Sequence, residues 1–196
     1  AVPAAIALAV VAAVAFVWQP WRARDPFAEV EQLARAGQFE RAIAETRRLH
    51  REDPSLAGAA PRLARLYRLW AEQSLGQDDL EGALTRVASS LAESETAFAR
   101  SLQRRVLLAV AAPLERQLRD RAADVDPVPR GATLTVRGAV SHPLLAELRV
   151  LDERVERAAD GAFAVTLDPA GREFLPVRAT LSTGDVVELA AWPVRY

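Results

Sequence analysis

Few side chains in this sequence combine the types and spacing that catalysis requires. The chain has two histidines and no cysteine. His50 falls near the end of a predicted helix, where the helix dipole favours a positive charge. Ser141 and His142 are adjacent, so they cannot adopt the geometry of a nucleophile and its general base, and no G-x-S-x-G motif is present. We predict a surface residue at His50, a turn at Ser141 and His142, and no catalytic residue.

The sequence also lacks the residues that a metal or cofactor site would need. The absence of cysteine excludes zinc ribbons, iron–sulfur ligation and thiolate catalysis. The neighbouring carboxylates Asp78 and Asp79 lie where a helix cap is expected. Asp124 and Asp126, which precede a proline, are the only hint of a calcium site. No glycine-rich loop is present that could hold a phosphate. We therefore expect no metal, no cofactor and no enzymatic activity.

Arginine is the one residue type whose spacing suggests a binding surface. All 25 basic residues are arginine, and the net charge is −1, which gives no general attraction to nucleic acid. Stripes at intervals of three or four residues along predicted helices are usually solvated faces paired with local glutamates. The alternative is a docking strip for an acidic partner surface or for anionic lipid headgroups. The candidate docking residues are Arg62, Arg65, Arg68, Arg100, Arg104 and Arg105.

The first eighteen residues, AVPAAIALAVVAAVAFVW, contain no charged or amide side chain. A helix of that length is about 27 Å long, close to the roughly 30 Å hydrocarbon core of a bilayer. We predict a single transmembrane anchor over residues 1–21. The alternative is the apolar region of a signal peptide, with Ala13-Val14-Ala15 as its cleavage site. Aromatic and basic residues typical of a membrane interface follow, namely Trp18, Trp21, Arg22 and Arg24.

Residues 25–124 are predicted to form a domain of antiparallel helices. Apolar residues recur there with helical periodicity, and the pattern stops at Gly37, at Pro54 and at Gly76. The periodicity continues past Pro113, which predicts either a kink or a break in the last helix. This part of the chain is therefore predicted to be helical throughout.

The segment GQFERAI at residues 37–43, followed by Pro54, resembles the tetratricopeptide repeat family. A looser copy follows 41 residues later, where the positions of Phe39, Ala42 and Thr46 recur as Leu80, Ala83 and Val87. The resemblance covers residues 26–112 and implies the binding of peptides or partner proteins. Because this spacing differs from the usual repeat of about 34 residues, a plain helical bundle is the alternative.

Composition changes at residues 125–131, where two prolines and alternating charge predict a short linker. Beyond it the apolar periodicity falls to two, which predicts short strands joined by turns such as Asp160-Gly161. The succession of LTVRGAV, a proline turn, AELRVLDERVERAADGAFAVTL and a proline–glycine turn resembles small bacterial immunoglobulin-like modules over residues 131–196. That resemblance implies an antiparallel β-sandwich over residues 132–196, used as a spacer or adhesive module.

The predicted fold class is multi-domain, α then β: a single transmembrane helix, an antiparallel repeat-like helical domain and a C-terminal antiparallel β-sandwich. We predict a non-catalytic accessory or scaffold subunit that braces a larger bacterial membrane complex of photosynthetic, respiratory or secretion type. Its expected partners are integral-membrane subunits and membrane lipid, and not nucleic acid. The alternative is a membrane-tethered receptor whose helical groove recruits a peptide or protein.

The predicted location is the inner (cytoplasmic) membrane, spanned once. Arg22 and Arg24 follow the apolar segment, and the positive-inside rule would then put the folded part in the cytoplasm. The two families that the chain resembles are more familiar outside the cytoplasm. We predict a periplasmic location for the folded part, with the cytoplasmic side as the alternative.

Overall fold

The computed structural model describes residues 25–121, Pro129 and residues 131–194. Five helices precede six strands in this part of the chain. The helices are α1 (Ala28–Arg35), α2 (Phe39–Glu52), α3 (Ala59–Gly76), α4 (Leu80–Glu93) and α5 (Ala97–Arg121). The strands are β1 (Leu134–Ala139), β2 (Leu145–Val150), β3 (Glu153–Val155), β4 (Ala162–Leu167), β5 (Phe174–Leu181) and β6 (Val186–Pro193).

The predicted fold class is wrong. The structure has five helices and two antiparallel sheets in a mixed α and β arrangement, and no helix among its described residues is long and apolar enough to cross a membrane. The longest helices, α3 and α5, carry charged side chains such as Arg68, Glu72 and Arg104, so each buries an apolar stripe against protein. The prediction of a single-pass transmembrane protein is wrong for the same reason. That prediction depended on the apolar segment at residues 1–21, which lies outside the described residues.

The chain divides into two compact units, and the division falls between Leu66 and Tyr67 within α3. In the first unit, Asp25 Oδ1 accepts a hydrogen bond of 3.0 Å from the backbone N–H of Phe27, just before α1. Gly37, at φ 72°, turns the chain between α1 and α2 in a left-handed conformation that glycine adopts without strain. Apolar side chains form the core of this unit: Phe27, Val30, Phe39, Ala42, Ile43, Leu63 and Leu66.

The second unit contains the end of α3, then α4, α5 and all six strands. β1 pairs with β4, and the other four strands form a sheet in the order β3-β2-β5-β6, with every pair antiparallel. Side chains alternate along the strands, so that Leu134 and Val136 of β1 are buried while Thr135 and Arg137 are exposed. This alternation is the period of two that a strand with one buried face requires.

One apolar core joins the helices and the sheets of the second unit. α5 contacts α4, β1 and β6, and its buried side belongs to the same cluster as the inward residues of the strands. Along that side Leu102, Val106, Val110 and Leu114 are all at most 2 % exposed. α5 also continues through Pro113, so the predicted break does not occur. Packing on both sides of the proline offsets the backbone hydrogen bond that proline cannot make.

Two glutamines of α5 add polar contacts to the strand region. Gln103 Nε2 donates to Asp185 Oδ1 at 3.3 Å, in the turn between β5 and β6. Gln117 bonds both backbone groups of Ser141, accepting from its N–H at 2.9 Å and donating to its carbonyl at 3.2 Å. The predicted domain limits, residues 25–124, 125–131 and 132–196, stay a prediction, since most of the linker lies outside the described residues.

Candidate functional site

The structure separates the predicted site residues into three groups. Trp18, Trp21, Arg22 and Arg24, predicted at a membrane interface, lie outside the described residues. Four of the six candidate docking arginines contact side chains of the same chain. The other two, Arg104 and Arg105 of α5, are exposed and form no ion pair or hydrogen bond with a described residue.

The four paired arginines are held by groups of the same chain, and Arg62 and Arg68 are only partly exposed. The guanidinium of Arg62 lies over the ring of Phe27, 4.0 Å from its centroid, and approaches Asp25 at 4.0 Å. The remaining three form ion pairs with glutamates, namely Arg65 with Glu31 at 2.9 Å, Arg68 with Glu72 at 2.6 Å and Arg100 with Glu95 at 2.9 Å. A partner would have to break these contacts before using the same groups.

Exposed apolar side chains flank the two unpaired arginines. Phe98 is 76 % exposed and Leu108 is 62 % exposed. With 3.6 residues per turn, Leu108 lies on the side of α5 opposite to its buried stripe, together with Arg105 and Ala112. Phe98, one turn before the buried Leu102, lies at the edge of that stripe. We call this surface the α5 outer face; it consists of Phe98, Arg104, Arg105, Leu108, Ala112 and Arg116, of which all are exposed.

A groove of about 410 Å³ lies between the end of α3 and α4. The guanidinium of Arg86 stacks on the ring of Trp70, 4.1 Å from its centroid. Its Nη1 also donates to Asp79 Oδ2 at 2.8 Å and to the hydroxyl of Ser74. One stacked cation therefore ties the two helices together. We call this surface the α3–α4 groove; its lining includes Tyr67, Trp70, Asp79, Gly82, Thr85 and Arg86.

Gly82 makes room for this arrangement. A Cβ at this position would overlap Asp79 Oδ2 and Arg86 Nη1, which explains a glycine inside a helix, where it costs about 0.5–1 kcal/mol relative to alanine. Asp79 caps α4 by accepting a hydrogen bond of 3.0 Å from the Gly82 N–H. The hydrogen bond from Arg86, and then the one from Gly82, lower the pKa of Asp79.

Sequence reasoning placed Asp79 at a helix cap but missed Arg86 and Gly82. The available signal is their spacing, since Asp79, Gly82 and Arg86 stand three and then four residues apart on one side of a helix. The contacts of Arg86 with Trp70 and Ser74 could not be predicted from the sequence, because they join different helices.

A second cleft, of about 510 Å³, lies beside β2 and β3. Arg157 lines it and donates to the carbonyls of Leu145 and Ala146 at 3.0 and 3.1 Å. Glu147 accepts a hydrogen bond of 2.5 Å from Arg149, which is the main cause of its lowered pKa. Arg157 and Glu147 are thus engaged with the backbone and with a neighbouring arginine, which favours a structural role for both.

The described geometry offers little for acid–base or metal chemistry. No group of three or more His, Asp or Glu side chains in the described ranges is placed to hold a metal ion. His50 is exposed, as predicted. His142 lies in the loop between β1 and β2, also as predicted, and its Nδ1 accepts a hydrogen bond of 3.2 Å from the Leu144 N–H. The pKa values of Asp79 and Glu147 are both shifted downwards, whereas a general acid needs a raised one.

Two comparisons with known proteins found no match for this chain. No protein-family model matches the chain. A search of curated proteins finds no match either. The resemblances to tetratricopeptide repeats and to immunoglobulin-like modules therefore stay predictions, and function is argued from the geometry of the two helical surfaces.

Proposed function

We propose that this chain is a non-catalytic accessory or scaffold subunit that binds a partner protein at the α5 outer face. The observation that carries the proposal is the two-sidedness of α5. One side is buried in the core shared with the sheets, while the other exposes Phe98 and Leu108 beside unpaired arginines. Aromatic side chains and arginine are the types enriched in protein interfaces.

A rigid helix suits this role for an energetic reason. Ordering side chains and loops on binding costs about 0.5–1.5 kcal/mol for each flexible side chain that is immobilised, and a preformed surface avoids part of that cost. α5 is held by its buried stripe and by the hydrogen bonds of Gln103 and Gln117 to the strand region. Covering Phe98 and Leu108 would then add about 1.5–3 kcal/mol for each side chain.

Gentle extraction of the full chain from the cells that make it tests the proposal. A scaffold should purify in a stoichiometric complex, and the double variant Phe98→Ser/Leu108→Ser should be released from it. Phe174→Ser is the matched control, because Phe174 is 56 % exposed but lies on β5. A chain that purifies alone would contradict the proposal. A complex that survives Phe98→Ser/Leu108→Ser as well as it survives the control Phe174→Ser would also contradict it.

A second candidate function is the recruitment of a mobile peptide by the α3–α4 groove. The supporting observation is the aromatic wall of Tyr67 and Trp70 beside the fixed guanidinium of Arg86. A recruiting protein should purify mostly alone, and Thr85→Arg, which would fill the groove, should abolish capture of its peptide. Ala88→Arg, at an exposed α4 position that does not line the groove, is the control.

The proposal includes an inner-membrane location and integral-membrane partners, and it assigns no helix of this chain to the bilayer. Fractionation of the cells tests the location. Protease treatment of spheroplasts tests the side: cleavage of the folded part in intact spheroplasts would indicate the periplasm, and cleavage only after lysis would indicate the cytoplasm.

A further inference from the structure

The α5 outer face is a cationic stripe on a chain of nearly balanced charge. Arg104, Arg105 and Arg116 are exposed, and none has an ion-pair or hydrogen-bond partner among the described residues. Between residues 97 and 118 of α5 the one acidic side chain is Glu115, which is partly buried and has an interaction of its own. The positive charge of Arg104 and Arg105 is therefore not neutralised by a described side chain of their own helix.

The first stripe of candidate docking arginines is paired instead. Arg65 and Arg68, from the same sequence pattern, are held by Glu31 and Glu72 at 2.9 and 2.6 Å. Arg104 and Arg105 have no such competitor in the part of the chain that the structure describes, so each guanidinium can offer its full fork of donors to carboxylates from outside. Planar, bidentate pairing with a carboxylate is the contact for which arginine is best suited.

The dimensions of the face match a single helix. From Phe98 to Arg116 it extends about 27 Å, at 1.5 Å per residue. Phe98 and Leu108 stand about 15 Å apart along the axis, with Arg104 and Arg105 between them. Ala112 lies roughly two helical turns after Arg104 and Arg105. Its small side chain would let a second helix approach to the usual distance of about 8–10 Å between packed helix axes.

We infer that an acidic amphipathic helix of a partner protein docks along the α5 outer face. Its apolar residues cover Phe98 and Leu108, and its Asp or Glu side chains accept hydrogen bonds from Arg104 and Arg105. The inference rests on the proposed function and adds the chemistry of the partner. An anionic membrane is a poorer match, because helices that bind a lipid surface present a continuous apolar face. Here only two large apolar side chains are exposed along the stripe.

Photo-crosslinking of the full chain in its own cells is the first test. With p-benzoylphenylalanine in place of Ala112, we expect cross-links to a protein segment that carries Asp and Glu along one side of an apolar helical stripe. The same replacement at Ala88, an exposed position of α4, is the control and should not give that cross-link. Cross-links to lipid, cross-links to a segment without acidic residues, or none at Ala112 would each overturn the inference.

A reciprocal charge exchange is the second test. The cross-linked segment is synthesised, and its Kd for the purified full chain is measured by fluorescence anisotropy. Arg104→Glu/Arg105→Glu should weaken binding by roughly 30-fold or more. Changing two carboxylates of the segment to arginine should restore most of it. Arg137→Glu, at an exposed position of β1, is the matched control and should leave Kd unchanged. Circular dichroism checks that each variant is folded. Unchanged affinity in the double variant would contradict the inference.

The proposed function and the acidic partner helix can be disproved separately. If the native complex survives Arg104→Glu/Arg105→Glu but is lost with Phe98→Ser/Leu108→Ser, the proposed function stands and the acidic helix is overturned. If the unaltered chain forms no stoichiometric complex, the proposed function fails and the inference falls with it.

Discussion

The two helical hairpins of this chain, α1–α2 and α3–α4, share a packing pattern but differ at their turns. α2 and α4 both have 14 residues, and equivalent positions lie 41 residues apart. Ala42 and Ala83 are both completely buried, as is Thr46 in the first hairpin. The turn before α2 uses Gly37 at φ 72°, whereas the turn before α4 uses Asp78 at φ 60°.

The two hairpins differ in the polar contacts at their turns. Asp79 caps α4 and pairs with Arg86, which stacks on Trp70. Gln38, at the position equivalent to Asp79, makes no side-chain cap for α2. A repeated apolar pattern thus reproduces which positions of α2 and α4 are buried, but it does not reproduce the contacts at their N-terminal ends.

The largest difference should appear when equivalent core residues are truncated. Leu84→Ala and Ile43→Ala should each lower the free energy of unfolding by about 2–5 kcal/mol, since both side chains are buried. Leu84 belongs to the cluster that includes the strands, so Leu84→Ala should also speed amide hydrogen exchange at Leu148 of β2. Ile43→Ala should leave that exchange unchanged. Equal exchange at Leu148 in the two variants would show that the core is not continuous.

An exchange of the buried residues Thr46 and Val87 should have a smaller effect. Thr46 Oγ1 donates to the Ala42 carbonyl at 2.7 Å, so its hydroxyl is already satisfied. Val87→Thr adds a hydroxyl to a completely buried apolar site and should lower stability by about 1–3 kcal/mol. Thr46→Val should change it by less than about 1 kcal/mol. Urea unfolding of both variants measures the difference, and a larger loss in Thr46→Val would reverse the comparison.

The cap of α4 should give a pH-dependent effect that α2 lacks. Asp79→Ala should lower stability by about 1 kcal/mol at pH 7, whereas Gln38→Ala should change it little. The pKa of folded Asp79 is lowered by Arg86 and Gly82, so its stabilisation is complete above the unfolded pKa of about 3.9. It is lost as the pH falls through the folded value. Because the side chain is 46 % exposed, the ion pair itself adds little.

Denaturant unfolding of Asp79→Ala at pH 7 and at pH 2 checks this sign. The difference from the unaltered chain should be smaller at pH 2 than at pH 7, because the carboxyl becomes protonated as the pH falls. A difference that stays constant with pH would mean that the carboxylate charge has no part in the cap.

The smallest effect is expected at the turns themselves. Gly37→Ala forces a Cβ into the left-handed region and should lower stability by about 1 kcal/mol. Asp78→Gly should change stability by less than about 0.5 kcal/mol, because Asp tolerates this conformation through local hydrogen bonds. Thermal unfolding of both variants provides the measurement. A strong stabilisation by Asp78→Gly would show that this turn is strained.

Local patterns predicted the individual elements better than their arrangement. The alternation around Leu134 and Val136 predicted a strand, and both residues are buried in β1. The glycine at position 37 predicted the stop before α2. In contrast, the predicted fold class is wrong, because no described helix is long and apolar enough to cross a membrane and because helices and strands share one core. The continuity of α5 through Pro113 could not be predicted, since it depends on packing from other elements.

The candidate site shows the same limit. Spacing alone found six arginines, and it also predicts the pairing of Arg68 with Glu72 four residues later. It could not reveal that Arg65 meets Glu31, which is 34 residues away. The exposed Phe98 stands in an apolar periodicity that predicts burial, so the sequence gives no sign that its side chain faces solvent.

By itself the sequence determined where helices and strands form, because side-chain periodicity and turn residues act over a few neighbouring positions. It also determined which residue types are present for recognition: arginines without lysine, and no cysteine. Only the tertiary structure decided which arginines remain unpaired and which apolar side chains stay exposed. Both properties depend on partners that are distant in the chain and are brought together by burial of the shared core.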